Sequence, residues 1–159
     1  MLKLLDQALI NQVVERSRIS PRLRCSHNFH DSHDEPVQRC LLALQPGTYV
    51  RPHRHLRPFG INGFELLLVL QGAIGLIVVD EDGQVIQHQT MAAGDSLIGV
   101  EIPAGAYHSL MALKPDTVLF EVKAGPYRAE TDKDFLASFP QEGTLAATQQ
   151  LQIWETLFL

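Results

Sequence analysis

In the stretch Gly47-Thr-Tyr-Val-Arg-Pro-His53-Arg-His55, two histidines are spaced to share one ion. Side chains of an extended segment alternate with period two, so His53 and His55 fall on one face and bring two imidazoles together. A helix would need a spacing of four for the same effect. Downstream, Glu65 and His108 are of the types that would complete a centre of three imidazoles and one carboxylate. Such mixed nitrogen and oxygen donors, with coordination positions left over, suit Fe(II), Mn(II), Ni(II), Co(II) or Zn(II), and spacing does not choose among them. Calcium fits poorly, because hard ions prefer an all-oxygen shell. Glu65 has a rival role, accepting an imidazole N–H from outside the centre.

Other residues could supply chemistry around that centre. Glu101 and Glu121 interrupt apolar runs, Leu97-Ile-Gly-Val-Glu101-Ile and Val118-Leu-Phe-Glu121-Val. A carboxylate on an inner barrel face must pair or shift its pKa, which would make either residue an acid, a base or an orienter of ligands. Facing outward they are plain surface charges, and strand parity leaves both readings open. Tyr107 and Tyr49 are further candidates for lining the site, Tyr107 in a catalytic role and Tyr49 for substrate. Arg51 should share the face of His53 and could meet a phosphate or carboxylate. Arg54 and Arg57 read more simply as solvated loop charges.

These residues need a scaffold. Residues 3–17 place Leu4, Leu5, Ala8, Leu9, Val13 and Val14 on one face of a helix, and Ser20-Pro21 ends it. Residues 22–35 are polar and rich in histidine, and read as loop or irregular extended chain. From Val37 to Lys123, short apolar runs alternate with Pro, Gly and Asp breakers. Strands are expected near 37–44, 48–55, 64–71, 74–80, 84–90, 96–102, 107–113 and 117–123. The first of these would also suit a short helix, whereas Asp80-Glu-Asp-Gly83 is a clear hairpin turn. Thr131-Asp-Lys-Asp134 could cap a short helix through Phe135 and Phe139. After Gly143, Leu145, Leu151, Ile153, Trp154, Leu157 and Phe158 form an apolar pattern of helical period. That apolar end must be covered by the chain's own barrel or by a second subunit.

The two histidine motifs, in this order and in strand-rich sequence, resemble the cupin superfamily. Its first motif appears as Gly47, His53-Arg-His55, Glu65 and Gly72, and its second as Pro103-Ala-Gly105-Ala-Tyr-His108. More specifically, residues 1–142 resemble the WbuC-type cupin-fold metalloproteins, often encoded with bacterial surface-polysaccharide genes. That likeness runs through Asn28-Phe-His30, Asp34-Glu-Pro-Val-Gln-Arg39, Val100-Glu-Ile-Pro103 and Phe120-Glu-Val-Lys-Ala-Gly-Pro-Tyr127. It implies a mainly β, single-domain cupin (double-stranded β-helix, jelly-roll) barrel with flanking N- and C-terminal α-helices. Residues 1–21 would form the helical N-terminus, 22–127 the barrel and 128–159 a helical extension. It also implies one divalent transition metal on His53, His55, Glu65 and His108, with His30 reaching the cavity for substrate. His27, His33 and His88 are expected to face solvent. Three departures stand out: nine residues separate His55 from Glu65 where the broad pattern has a shorter gap, Leu97 replaces a glycine, and Ala112 replaces an asparagine.

Composition bounds the function. At 159 residues the chain can bury roughly 70% of its unfolded surface. A net charge of −5 gives no general attraction to nucleic acid or anionic membranes. No apolar run approaches the roughly 20 residues of a membrane span, and no leader is evident, so a cytoplasmic protein is expected. Cys25 and Cys40 lack metal or redox spacing, and Cys40 reads as a small buried hydrophobe. The expected function is that of a small-molecule metalloenzyme, isomerase, epimerase or oxygenase, acting on a sugar, sugar nucleotide or carboxylate-type metabolite, with a link to surface-polysaccharide metabolism. The alternative is a non-catalytic module in which the metal anchors a carbohydrate or other small ligand. A homodimer is expected from the fold and the apolar tail.

Overall fold

The strand pattern between Val37 and Lys123 builds two antiparallel sheets that close on one core, as described by a computed structural model covering residues 2–159. The chain runs α1 (Gln7–Ile19), β1 (Arg24–Asn28), β2 (Val37–Leu44), β3 (His53–Arg54), β4 (Glu65–Gln71), β5 (Ala73–Val79), β6 (Val85–Ala92), β7 (Gly99–Ile102), β8 (Tyr107–Ala112), β9 (Thr117–Ala124), β10 (Asp134–Phe135) and α2 (Leu145–Glu155), ending in a 3-10 turn (Thr156–Phe158). One sheet has the order β1-β2-β9-β4-β7 and the other β10-β3-β8-β5-β6. This is the expected jelly-roll barrel with helices at both ends.

Alternation along the strands sorts the side chains into layers. Leu67 and Val69 of β4, Leu119 of β9, Leu76 of β5 and Leu110 of β8 meet in the core between the sheets. Their neighbours on the opposite faces are covered by the helices. Leu41, Ala43 and Val118 pack under Ile10, Val13 and Val14 of α1. Ile77, Tyr107 and Met111 pack under Ala147, Leu151 and Trp154 of α2. Burying one such aliphatic side chain stabilises the fold by roughly 1.5–3 kcal/mol. Ala147, Leu151 and Trp154 of the tail helix are thus covered by the chain's own barrel, while Leu145 and Ile153 of the same helix stay exposed.

The hairpin at Asp80–Gly83 forms as expected, with Gln84 N–H donating to Asp80 Oδ1 at 2.8 Å and Gly83 at φ +84°. Gly72, between β4 and β5, sits at φ +74°, and a Cβ there would lie 2.4 Å from Thr117 Oγ1. That turn admits only glycine, which accounts for its place in the motif.

Four expectations are corrected. α1 starts at Gln7, because Asp6 caps it by accepting from Leu9 N–H at 2.9 Å; Leu4 and Leu5 precede the helix and are exposed. Residues 24–28, read as loop, form β1 against β2, and their polar side chains hid the strand. Only His53–Arg54 of the expected 48–55 strand is laddered. Pro52 has no N–H to offer, and its carbonyl accepts from Leu136 N–H at 3.0 Å. The helix expected near 131–139 is instead an extended strap, β10, paired with β3. The strap is held there because Asp132 is drawn inward by two buried cations, described next.

Candidate metal centre

His53 and His108 come from one sheet, His55 from the segment just after β3, and Glu65 from the other sheet. His53 and His108 are direct cross-strand partners on β3 and β8, which puts their ring centroids 4.6 Å apart. His55, two residues on, returns to the same face 5.1 Å from the His53 ring. Glu65 opens β4 opposite, and all four residues are buried. One donor atom from each lies within 4.8 Å of all the others.

Hydrogen bonding fixes which ring nitrogens point inward. His53 Nδ1 lies 2.9 Å from Arg51 O, His55 Nδ1 2.7 Å from Asp132 O, and His108 Nδ1 3.0 Å from Ala106 O. Carbonyls only accept, so each Nδ1 carries the proton and each Nε2 presents a lone pair. His108 Nε2 and His55 Nε2 nevertheless approach Glu65 Oε2 to 2.8 and 3.4 Å. These contacts are close in distance but are not hydrogen bonds: His55 Nε2 and Glu65 Oε2 are buried without a hydrogen-bonding partner. Lone pairs and a carboxylate facing one another in a buried space favour a cation between them, and the donor set fits a divalent transition metal. Burial above all, with Lys133 and the His108 ring adding to it, holds His53 well below the usual histidine range, in the neutral form a metal needs.

The strap locks this arrangement from behind. Asp132, fully buried, accepts from Arg57 Nη2 at 2.7 Å and from Lys123 Nζ at 3.0 Å, while its carbonyl holds His55. Arg57, expected to be a solvated loop charge, is tucked beneath the long loop before Glu65 and also donates to Ala124 O. The extra residues between His55 and Glu65 therefore carry a buried anchor for the strap and leave Glu65 in place at the centre. Arg54 is held by Asp134 at 2.7 Å and lies over the Tyr107 ring.

A cavity of about 430 Å³ opens onto the centre, lined by His53, Glu65 and His108 together with Glu121, Lys123 and Lys133. Strand parity, undecided in the sequence, is settled by the register. Glu121 pairs opposite Leu67 and faces inward with it. Burial foremost pushes the Glu121 carboxyl up, against the pull of Lys123 at 3.2 Å. Burial also works against the charge of Lys123, but Glu121, Glu65 and Asp132 outweigh it and raise that pKa. Lys133 is shifted down, first by burial and then by Lys123.

The remaining sequence candidates divide. His30 lines the cavity, its Nδ1 3.0 Å from Arg39 O and its Nε2 buried and unpartnered. His33, expected in solvent, also lines the rim. Arg51 borders an adjoining outer chamber and donates to Leu136 O at 3.1 Å. Glu101 is not brought to the site: its neighbours Val100 and Ile102 face the core, so it points outward and is exposed. Tyr107 alternates with His108 and packs on the outer face, bonded to Asp134. Tyr49 is likewise outside the cavity, stacked on Trp154 with its hydroxyl donating to Pro140 O. Cys40 is half-buried and lines the cavity, its thiol pushed up by burial and inert as a nucleophile. Asp132, Lys123 and Lys133 were missed in the sequence; a Lys two residues after Glu121 was the one signal, since it shares that residue's face.

Solved structures share this architecture. KdgF from Halomonas sp. is 18% identical with a TM-score of 0.52, covering 70% of this chain and 87% of that one. CapF, a capsular polysaccharide assembling protein from Staphylococcus aureus, is 22% identical with a TM-score of 0.57; the match spans 74% of this chain and a third (33%) of CapF. The Bacillus subtilis oxalate decarboxylase, which has Mn(II) centres, is 20% identical with a TM-score of 0.50, covering 70% of this chain and 30% of that one. These likenesses place the barrel in the cupin fold. Residues 5–91 match the family model described as a domain of unknown function, DUF6016, and the chain belongs to that family.

Proposed function

We propose that this protein is a divalent-metal-dependent enzyme acting on a small, sugar-derived or carboxylate-type metabolite. The observation that carries the reading is the placement of Glu121, an inward-facing carboxyl with a raised pKa, in the same cavity onto which the His53, Glu65 and His108 donors open. A purely structural metal site is closed by its ligands, whereas a catalytic one keeps an open side. The cavity, about 430 Å³, falls in the range that takes up single metabolites.

His53, His55, Glu65 and His108 would hold the ion, which would supply Lewis-acid polarisation of a carbonyl or hydroxyl oxygen. Glu121 would move a proton to or from the carbon or oxygen beside that group. Lys123, fixed between Glu121 and Asp132, keeps the carboxyl oriented. Leu42, Val50 and Leu110 give a mostly polar cavity an apolar patch beside the centre. The resemblance to WbuC-type proteins and the fold shared with a capsular polysaccharide assembling protein support a sugar-derived substrate. Isomerisation or epimerisation needs only these groups; an oxygenase would require iron and a co-substrate.

The test is turnover, followed by NMR, of a panel of sugar acids, keto acids and hydroxy acids by protein loaded in turn with Mn(II), Fe(II), Co(II), Ni(II) and Zn(II). Product formation, or solvent-deuterium exchange into a panel compound, that is lost in Glu121→Gln supports the enzyme. Saturable binding with neither, for every metal, would replace it with the metal-anchored binding module.

A further inference from the structure

The cations lining the cavity over the metal centre are, with one exception, already committed, while Arg51 in the outer chamber donates to Leu136 O and has no carboxylate partner among the described residues. Arg22 and Arg24 share Glu142, with contacts of 2.7 Å from Arg22 Nη2 and 2.5 and 2.8 Å from Arg24 Nη1 and Nη2. Lys123 is held by Glu121 and Asp132, and Arg57 by Asp132 and Ala124 O. Lys133 lines the cavity and the outer chamber, yet among the described residues it has no ion pair and no hydrogen bond. Lys133 is half-buried on the lining of both spaces, so its three N–H donors are open to a bound group rather than used by the protein. Its backbone is not loose. Asp132 on one side carries the bond to His55, and Asp134 on the other pairs with Arg54 in the β10–β3 ladder.

Position adds a second argument. The outer chamber, about 360 Å³, shares Arg22, Arg24, Val50, Tyr127 and Lys133 with the cavity over the metal centre. The unpaired amine therefore stands at the junction between them, on the way to His53 and Glu65. With the Arg22–Arg24–Glu142 cluster carrying one surplus positive charge, the junction favours an anion.

We propose that Lys133 anchors an acidic group, carboxylate or phosphate, on a metabolite whose other end reaches the metal centre. This deepens the metalloenzyme reading and rests on it for the position of that other end. It makes Lys133 a specificity-determining residue: neutral sugars would enter without it, and acidic ones would be preferred because of it.

The experiment uses Co(II)-loaded protein and three α-hydroxy acids with the same chelating end. Lactate carries that end alone, malate adds a carboxylate, and 3-phosphoglycerate adds a phosphate. Dissociation constants come from the visible absorption of the cobalt. Wild-type protein is expected to bind malate or 3-phosphoglycerate at least about tenfold more tightly than lactate, as a charge-assisted contact provides. Which of the two gains identifies the anion. Lys133→Ala and Lys133→Gln should abolish the preference while still binding cobalt and lactate, and Lys133→Arg should retain most of it. No preference in wild-type protein, or a preference that survives in Lys133→Ala, overturns the proposal. Failure to bind cobalt would instead contradict the metal reading. In that event malate and 3-phosphoglycerate are titrated into metal-free protein by NMR: tighter binding to wild type than to Lys133→Ala sustains the anchor, and equal binding overturns it.

Discussion

Removing the Asp132 side chain tests how the strap holds the centre together. In Asp132→Ala, Arg57 loses a 2.7 Å contact and Lys123 a 3.0 Å contact, and both cations stay buried, with side chains 5% and 10% exposed. Breaking a buried pair from one side costs about 3–5 kcal/mol, because the partner charge is left uncompensated. Arg57 keeps Ala124 O and Lys123 keeps Glu121, so the lower end, about 3 kcal/mol, is expected. For a chain of this size that is a fall in Tm of about 6–12 °C, a large share of a typical total stability. The assay is thermal and urea unfolding of metal-free protein by circular dichroism, so that metal release does not contribute. Asp134→Ala is the control on the same strap: its ion pair with Arg54 is half-exposed and it also accepts from the Tyr107 hydroxyl, so the loss should be about 1 kcal/mol, well below that of Asp132→Ala. A loss below about 1 kcal/mol in Asp132→Ala, or equal losses in the two variants, would refute the reasoning.

Glu65→Gln should lower metal affinity by at least about tenfold with the fold intact; unchanged affinity by competition against a chelator would remove Glu65 from the centre. Burial pushes Glu142 up, but its bonds to Arg22 and Arg24 prevail and hold it at about 2, below the ordinary 4.5. A carboxyl depressed in this way stabilises the fold above pH 4.5, and the contribution disappears as pH falls toward about 2. Glu142→Gln should therefore flatten the acid side of the stability profile, measured as urea midpoint against pH; an unaltered slope would show that the Arg22–Arg24 clamp does not set it. Trp154 is 2% exposed and stacked on Tyr49 at 5.8 Å, so Trp154→Ala should cost about 3–5 kcal/mol. A loss under about 1 kcal/mol in urea unfolding would mean that α2 does not anchor to this barrel.

What could be read from the sequence follows from what has a period. His53 and His55 share a face because extended chain alternates, and Gly72 marks a turn because no other residue tolerates its approach to Thr117. The strands β2 and β4 to β9 announced themselves through apolar runs between breakers. Polar β1 and the strap carried no such pattern. Asp132, Lys133 and Arg57 look like surface charges in a linear sequence, and only their convergence on His55 and the cavity gives them roles. Glu101 and Glu121 were indistinguishable until register was known; Leu67 opposite Glu121, and Ile102 beside Glu101, decided one inward and the other outward. Tyr107 and Tyr49 were drawn toward the site by proximity in sequence, but each sits on the outer face, Tyr49 stacked on Trp154 of α2 and Tyr107 beside Arg54 and Asp134.

The central claim is that His53, His55, Glu65 and His108 hold one divalent ion, and metal analysis of untagged protein by plasma mass spectrometry tests it directly, beside a His53→Ala/His55→Ala variant. The account requires close to one transition-metal ion per chain in the wild type, lost in the variant while its circular dichroism stays that of a folded barrel. Full metal retention in the variant, or a wild type that takes up none after reloading, would contradict it.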